Sequence, residues 1–134
     1  MYRSKLILRK VVAIAICLAG ITVFSGCKEE NPNGNDTISD NYYVKYVIKG
    51  TCTYCYFRDW TATTPGGTYT NSGYQTKSWN QTYGPVKKGF KCEIQVGNYI
   101  GGTPPTIEIY VSKNQEPFAL KTTNTGQSAS YTIQ

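Results

Sequence analysis

Histidine is missing from all 134 residues, and that absence excludes more chemistry than any motif present suggests. Without an imidazole there is no Ser-His-Asp or Cys-His nucleophile, no H-E-x-x-H zinc site, and no side chain that titrates unperturbed near neutral pH. The glycines do not fall into the phosphate-cradling spacings of a P-loop or a dinucleotide fold. Carboxylates are also scarce, with only Asp59, Glu93, Glu108 and Glu116 after Asn41. A glycosidase pair drawn from these four would need an enclosing cleft, which nothing in so short a chain predicts. Three cysteines beyond residue 40 fall short of the four ligands of a structural zinc. The expectation is a protein that is not an enzyme and has no metal or cofactor.

Long apolar runs are equally scarce. The first stretch, Val11 to Phe24, follows Arg3, Lys5, Arg9 and Lys10 and is uncharged. Fourteen apolar-rich residues suit a signal-peptide core better than a membrane span, and no second such run follows. The formal charge of +6 shrinks once residues 1–26 are set aside, because four of the 14 basic residues lie in them, leaving ten against eight acidic ones. Lys87, Lys88 and Lys91 make the only basic cluster, and three lysines beside a turn read as a solvated face. No nucleic-acid partner is expected.

The segment that follows is Val23-Phe24-Ser25-Gly26-Cys27, then Lys28-Glu29-Glu30. A small pair directly before a cysteine resembles the lipobox of bacterial lipoproteins. The resemblance implies cleavage after residue 26 and acylation of Cys27. The lysine and two acids resemble the export signal of Bacteroidetes surface lipoproteins, which implies an outer-membrane, lipid-anchored protein exposed at the cell surface. Residues 27–40 are rich in Asn, Asp, Pro and Gly and too poor in apolar groups to offset the entropy of ordering, so they read as a flexible tether. Within it Asp36-Thr37-Ile38 resembles the O-glycosylation motif of exported Bacteroidetes proteins and marks Thr37 as a candidate glycan site; chance in a Thr-rich chain explains it as well.

From residue 41 to 134 the texture is that of strands. Tyr42 to Lys49 is β-branched and aromatic and stops at Gly50; Cys52 to Trp60 has the same character and ends in the turn Thr64-Pro65-Gly66-Gly67. Thr68 to Tyr83 predicts two short irregular strands. Phe90, Cys92, Ile94 and Val96 alternate with Lys91, Glu93 and Gln95, and Ile107, Ile109 and Val111 repeat the period, so both sets are expected to point into one core. Pro117 to Thr122 and Ser128 to Ile133 read as a last pair joined by a hairpin turn at Asn124-Thr125-Gly126. No helical period is present. The pattern predicts an all-β, immunoglobulin-like sandwich of about seven strands.

The order of Lys45-Tyr46-Val47-Ile48-Lys49-Gly50, a β-run ending near Gly66-Gly67, Val86-Lys87-Lys88-Gly89-Phe90, and Thr106 to Val111 is similar to the mycobacterial MmpS proteins. Those are small β-sandwich domains on an N-terminal membrane anchor, and the likeness implies the same fold over most of residues 42 to 133. This chain has Trp79 and Gly84-Pro85 where that family has Pro-Trp. Fold analogy of this kind carries no function.

Cys52-Thr53-Tyr54-Cys55 matches C-x-x-C, but inside a strand-like run its two thiols would face opposite ways and lack the helix N-terminus of a redox site. Cys92 is expected inward and is expected to pair with Cys55, which shares parity with Phe57, or with Cys52; the alternative is three reduced, buried thiols. The remaining signal is aromatic. Tyr54, Tyr56, Trp60, Tyr69, Tyr74, Trp79 and Tyr83 lie close together among hydroxyl and amide side chains. Trp60, Tyr69, Tyr74, Trp79 and Tyr83 are the candidate ligand contacts, against the plain alternative that they are core. The expected function is a non-catalytic binding or accessory protein with a protein partner at the outer membrane. The rival readings are a carbohydrate-binding module of a glycan-uptake system and an inhibitor of an enzyme or toxin.

Overall fold

A computed structural model describes residues 39–134. The expected signal segment, Cys27, the Lys28-Glu29-Glu30 triplet and Thr37 lie outside the described residues. Among the described residues nine strands follow one another: β1 (Tyr42–Lys49), β2 (Tyr56–Thr64), β3 (Gly67–Thr70), β4 (Gln75–Thr76), β5 (Ser78–Val86), β6 (Lys91–Ile100), β7 (Thr106–Lys113), β8 (Ala119–Thr125) and β9 (Ser128–Thr132). They form two antiparallel sheets, ordered β5-β1-β7-β8 and β3-β2-β6-β9, with the short β4 also on β2. The all-β sandwich is therefore the fold. The extra strands come from the aromatic-rich segment, which yields two short pieces and the nine-residue β5 rather than two irregular strands.

Alternation explains the core. Cys92, Ile94, Ile107 and Ile109 are fully buried and Val96 and Val111 nearly so, all on the inner faces, while Phe90 packs against them from the turn before β6. Lys91, Glu93, Glu108 and Tyr110 fall on the outer faces, where Lys49 bridges Glu108 at 2.9 Å and the Tyr110 hydroxyl donates to Glu108 at 2.8 Å. The central strands β1 and β2, one in each sheet, add Tyr46, Ile48, Phe57 and Trp60, each at most 1% exposed.

In an immunoglobulin sandwich strand B lies between A and E, and strand F between C and G. Here β1 lies between β7 and β5, and β6 between β2 and β9. Strands β1, β2, β3, β5, β6 and β9 thus stand in the places of B, C, C′, E, F and G, and β7, from the second half of the chain, fills the place of A. Trp60 on β2 is the buried tryptophan that such sandwiches carry on strand C. Where antibody domains join strands B and F by a disulfide, this chain sets Tyr46 beside Cys92. The Tyr46 hydroxyl donates across the core to the Thr63 carbonyl at 2.8 Å. Burial pushes the Cys92 thiol up to about 11.

Two sequence expectations are corrected here. The disulfide joins Cys52 to Cys55, and Cys92 is a free, buried thiol. Register explains it: Tyr56 pairs with Ile100, so Cys55 lies at the far end of β6 from Cys92, about 30 Å away at ~3.3 Å per residue. The second concerns Asn124-Thr125-Gly126, which joins strands of different sheets and so turns a corner rather than a hairpin. The Val96 amide donates to the Gln127 carbonyl at 2.7 Å and draws β9 onto β6.

Candidate functional site

Strand direction sorts the loops into two ends. At one end lie the start of β1, the β5–β6 turn and the β7–β8 loop. Here residues 39–41 are fastened: Lys87 donates to Ser39 and Asn41 at 2.7 and 2.6 Å, Lys113 bridges Asp40 at 2.8 Å, and the Asn114 amide donates to the Asn41 carbonyl at 2.8 Å. At the other end lie the β1–β2 loop (50–55), the β3–β4 loop (71–74) and the β6–β7 loop (101–105). In the immunoglobulin correspondence the first is the B–C loop and the other two leave the ends of the C′ and F strands, the end at which variable domains carry their antigen-binding loops.

The β1–β2 loop is made rigid by several devices. Cys52 and Cys55 lie in a turn outside any strand, closed by the Cys55 amide donating to the Cys52 carbonyl at 3.2 Å and by the disulfide. The strand-like reading of the C-x-x-C segment is corrected by this turn: β2 begins only at Tyr56. At Gly50 any Cβ would collide with the Cys55 carbonyl oxygen, so only glycine fits. The β6–β7 loop packs alongside, since a Cβ at Gly101 (φ 105°) would approach the Tyr54 carbonyl to 2.8 Å. Thr51 Oγ1 donates to the Pro104 carbonyl at 3.4 Å. The outcome is that Tyr54, between the two cysteines, is 76% exposed on a pinned backbone.

The β3–β4 loop is held by a residue that sequence reading missed. Asp59 sits within β2 at φ 58°, in the left-handed region, opposite Gly97, where a Cβ would lie 2.8 Å from the Asp59 carbonyl oxygen. Asp59 Oδ1 accepts from the Gly73 amide at 2.7 Å and Oδ2 from Asn98 Nδ2 at 3.0 Å. These bonds, the Gly73 amide first, hold its carboxyl below the usual carboxylate range. The Asn71 amide donates to the Trp60 carbonyl at 2.9 Å, and Asn71 Nδ2 to the Tyr74 carbonyl at 3.1 Å. Tyr74 is thereby set edge-on to Trp60 with ring centroids 6.3 Å apart and stays 63% exposed. Asp and Asn are the side chains that tolerate left-handed backbone, which is the one signal Asp59 gave in the sequence.

The five candidate aromatics divide. Trp60 is in the core, with Phe57, Trp79 and Tyr74 around it, which corrects its reading as a ligand contact. Trp79 and Tyr83 face inward from β5 and are half-buried, closing the seam between the β3 and β5 edges of the two sheets. Tyr69 stacks on Trp79 at 5.7 Å and 14°. Burial, then Tyr69, raises the Tyr83 hydroxyl above its usual value. Only Tyr69 and Tyr74 keep substantial exposure. Tyr54, Tyr99 and Ile100 join Tyr74 at the loop end, and the last two are 38% and 49% exposed. Sequence spacing could not assemble this group, because its members come from two separate loops and the end of β6.

Among the described residues no three Cys, Asp or Glu side chains gather to hold a metal ion. The grooves elsewhere are open and shallow; one of about 380 Å³ runs between Glu93, Gln95, Thr123, Asn124 and Ser128 beside the β8–β9 corner. No family model matches this chain, and neither a curated protein nor a solved structure does.

Proposed function

We propose that this is a lipid-anchored binding module that presents its three-loop end to a protein partner at the outer-membrane surface and performs no chemistry. The observation that carries this reading is the opposition of the two ends. Residues 39–41 leave the sandwich at one end, about 12 residues from the proposed anchor Cys27, and Tyr54, Tyr74, Tyr99 and Ile100 stand exposed at the other. Four large apolar groups on backbone already ordered by a disulfide, tight glycines and the Asp59 carboxylate lose little entropy on binding. Apart from Cys52, Cys55, Pro104 and Pro105 the loops are built of Tyr, Ser, Gly, Asn and Thr, close to the composition that gives antibody loops adaptable contacts.

A carbohydrate site along Trp60, Tyr69, Trp79 and Tyr83 is less favoured. Those rings spend their faces on one another and leave no clear platform on which a sugar ring would stack. The experiment places a photo-reactive amino acid at position 54, and in a second strain at position 123 in the groove by the β8–β9 corner, in intact cells. Adducts to one protein from position 54 and not from 123 support the reading. Labelling at neither position, or a glycan-array signal abolished by Trp79→Ala and untouched by Tyr54→Ala, overturns it.

A further inference from the structure

We infer that the free edge of β5 is a second binding site, one that accepts an extended peptide strand of a partner protein with acidic ends and an uncharged centre. Strand β5 is hydrogen-bonded to β1 on one side only and ends its sheet. In the immunoglobulin order A-B-E-D a further strand, D, would lie beside it, and among the described residues no strand occupies that place. The opposite edge of the same sheet is managed differently, because β8 turns directly into β9 and Asn124 Nδ2 donates to the Ser128 carbonyl at 2.7 Å across the corner.

Natural edges are protected by charge, proline or bulges. On β5 those devices are confined to one end, where Gly84 and Pro85 form a bulge opposite Tyr43. From Ser78 to Thr82 the side chains are Ser, Trp, Asn, Gln and Thr, with no charge and no proline, in unbroken register with Lys49 to Lys45. Alternation turns the backbone groups of Ser78, Asn80 and Thr82 away from β1. Those of Ser78 are taken by Thr76 Oγ1, which accepts from the Ser78 amide at 3.3 Å and donates to its carbonyl at 3.0 Å, so the donors and acceptors of Asn80 and Thr82 are the ones open to strand addition, in which main-chain hydrogen bonds supply affinity and flanking pockets supply specificity. The flank is the seam itself: Trp79 and Tyr83 are half-buried there and Tyr69 is 38% exposed, ready to cover alternate side chains of an added strand.

Charge selects the occupant. Lys77 directly precedes the strand, Lys87 and Lys88 directly follow it, and Lys45 stands opposite Thr82 on β1. Strands β1, β3 and β5 carry no carboxylate, and the one on this sheet, Glu108 of β7, is already engaged by Lys49 and Tyr110. A second copy of β5 would bring lysines against lysines, whereas a strand with Asp or Glu at its ends would complement them.

The test uses the full chain purified in detergent and a phage-displayed library of ten-residue peptides, followed by a synthetic peptide of the enriched sequence. The expected result is enrichment of alternating sequences with acidic termini. Slowed amide exchange should appear at Asn80 and Thr82 on binding, the residues whose amides point away from β1. Affinity should fall at least tenfold in Gln81→Lys, which sets a charge into the seam, and in the pair Lys77→Glu with Lys87→Glu, but not in Tyr54→Ala. No enrichment, binding that Tyr54→Ala abolishes while Gln81→Lys does not, or concentration-dependent self-association through β5 each overturns the proposal. Because Tyr54 and Gln81 report on different surfaces, failure here leaves the loop reading standing.

Discussion

Truncating Ile109 and Glu108, neighbours on β7, separates the two faces of the β5-β1-β7-β8 sheet by their energetics. Ile109 is fully buried, opposite Tyr46 on β1 and Thr122 on β8. Ile109→Ala removes three carbon groups at ~0.8 kcal/mol each, and the cavity left in a rigid inter-strand position adds to that, for about 3–4 kcal/mol. In a domain of this size one kcal/mol moves Tm by ~4–8 °C, so the variant should melt roughly 12 to 30 °C lower. Glu108→Ala breaks the bridge to Lys49, whose side chain is 52% exposed, and the bond from Tyr110. The Glu108 side chain is 16% exposed, but the lysine end stands half in solvent, which screens the pair to about 1 kcal/mol or less, a loss of a few degrees. Calorimetry on both variants and on Ile109→Val, expected to cost ~0.5–1.5 kcal/mol, supplies the scale. Equal melting of Ile109→Ala and Glu108→Ala would refute the alternation argument, because a one-residue slip exchanges the faces of the whole strand.

Thiol mapping should find Cys52 and Cys55 blocked to alkylation until reductant is added, and Cys92 unlabelled in the native protein with or without reductant. Labelling of Cys92 without denaturant would contradict its burial. Acid should destabilise the domain: the carboxyls of Asp59, Glu93 and Glu108 are held below their usual values, so the stability they contribute is present at neutral pH and drains away as pH falls below about 4.5 toward and through their folded values. For Glu108 burial pulls upward and the bonds from Lys49 and Tyr110 outweigh it; Asp59→Asn with Glu108→Gln should flatten the acid limb of a Tm against pH curve, and an unchanged limb would show that neither group is linked to folding. Cys27→Ser should abolish palmitate labelling and release the protein or leave its signal uncut, and persisting label on the serine variant would disprove the anchor. Alanines at Lys28, Glu29 and Glu30 should leave labelling intact but protect the protein from protease added to whole cells; equal digestion of both forms would deny the triplet an address.

Local pattern was enough for the strands whose two faces differ. In Phe90 to Val96 and Ile107 to Val111 a charged or polar residue at every second place is costly to bury, so period and direction were both legible, and with them the sandwich. The aromatic-rich segment was not legible in the same way, because Tyr and Trp satisfy a core, a seam and an open surface equally well. Only the neighbours brought by the second sheet decided that Trp60 is core, Trp79 seam and Tyr74 surface. The cysteines show the same division. Parity put Cys92 inward, but pairing needs proximity in space, and the register of β2 on β6 sets Cys55 at the opposite end of the sheet and leaves Cys52 as the partner within reach. Composition alone removed histidine chemistry and sized the domain. The grouping of three loops at the end away from residue 39, and the open edge of β5, arise from contacts between residues far apart in the chain, which no local period encodes.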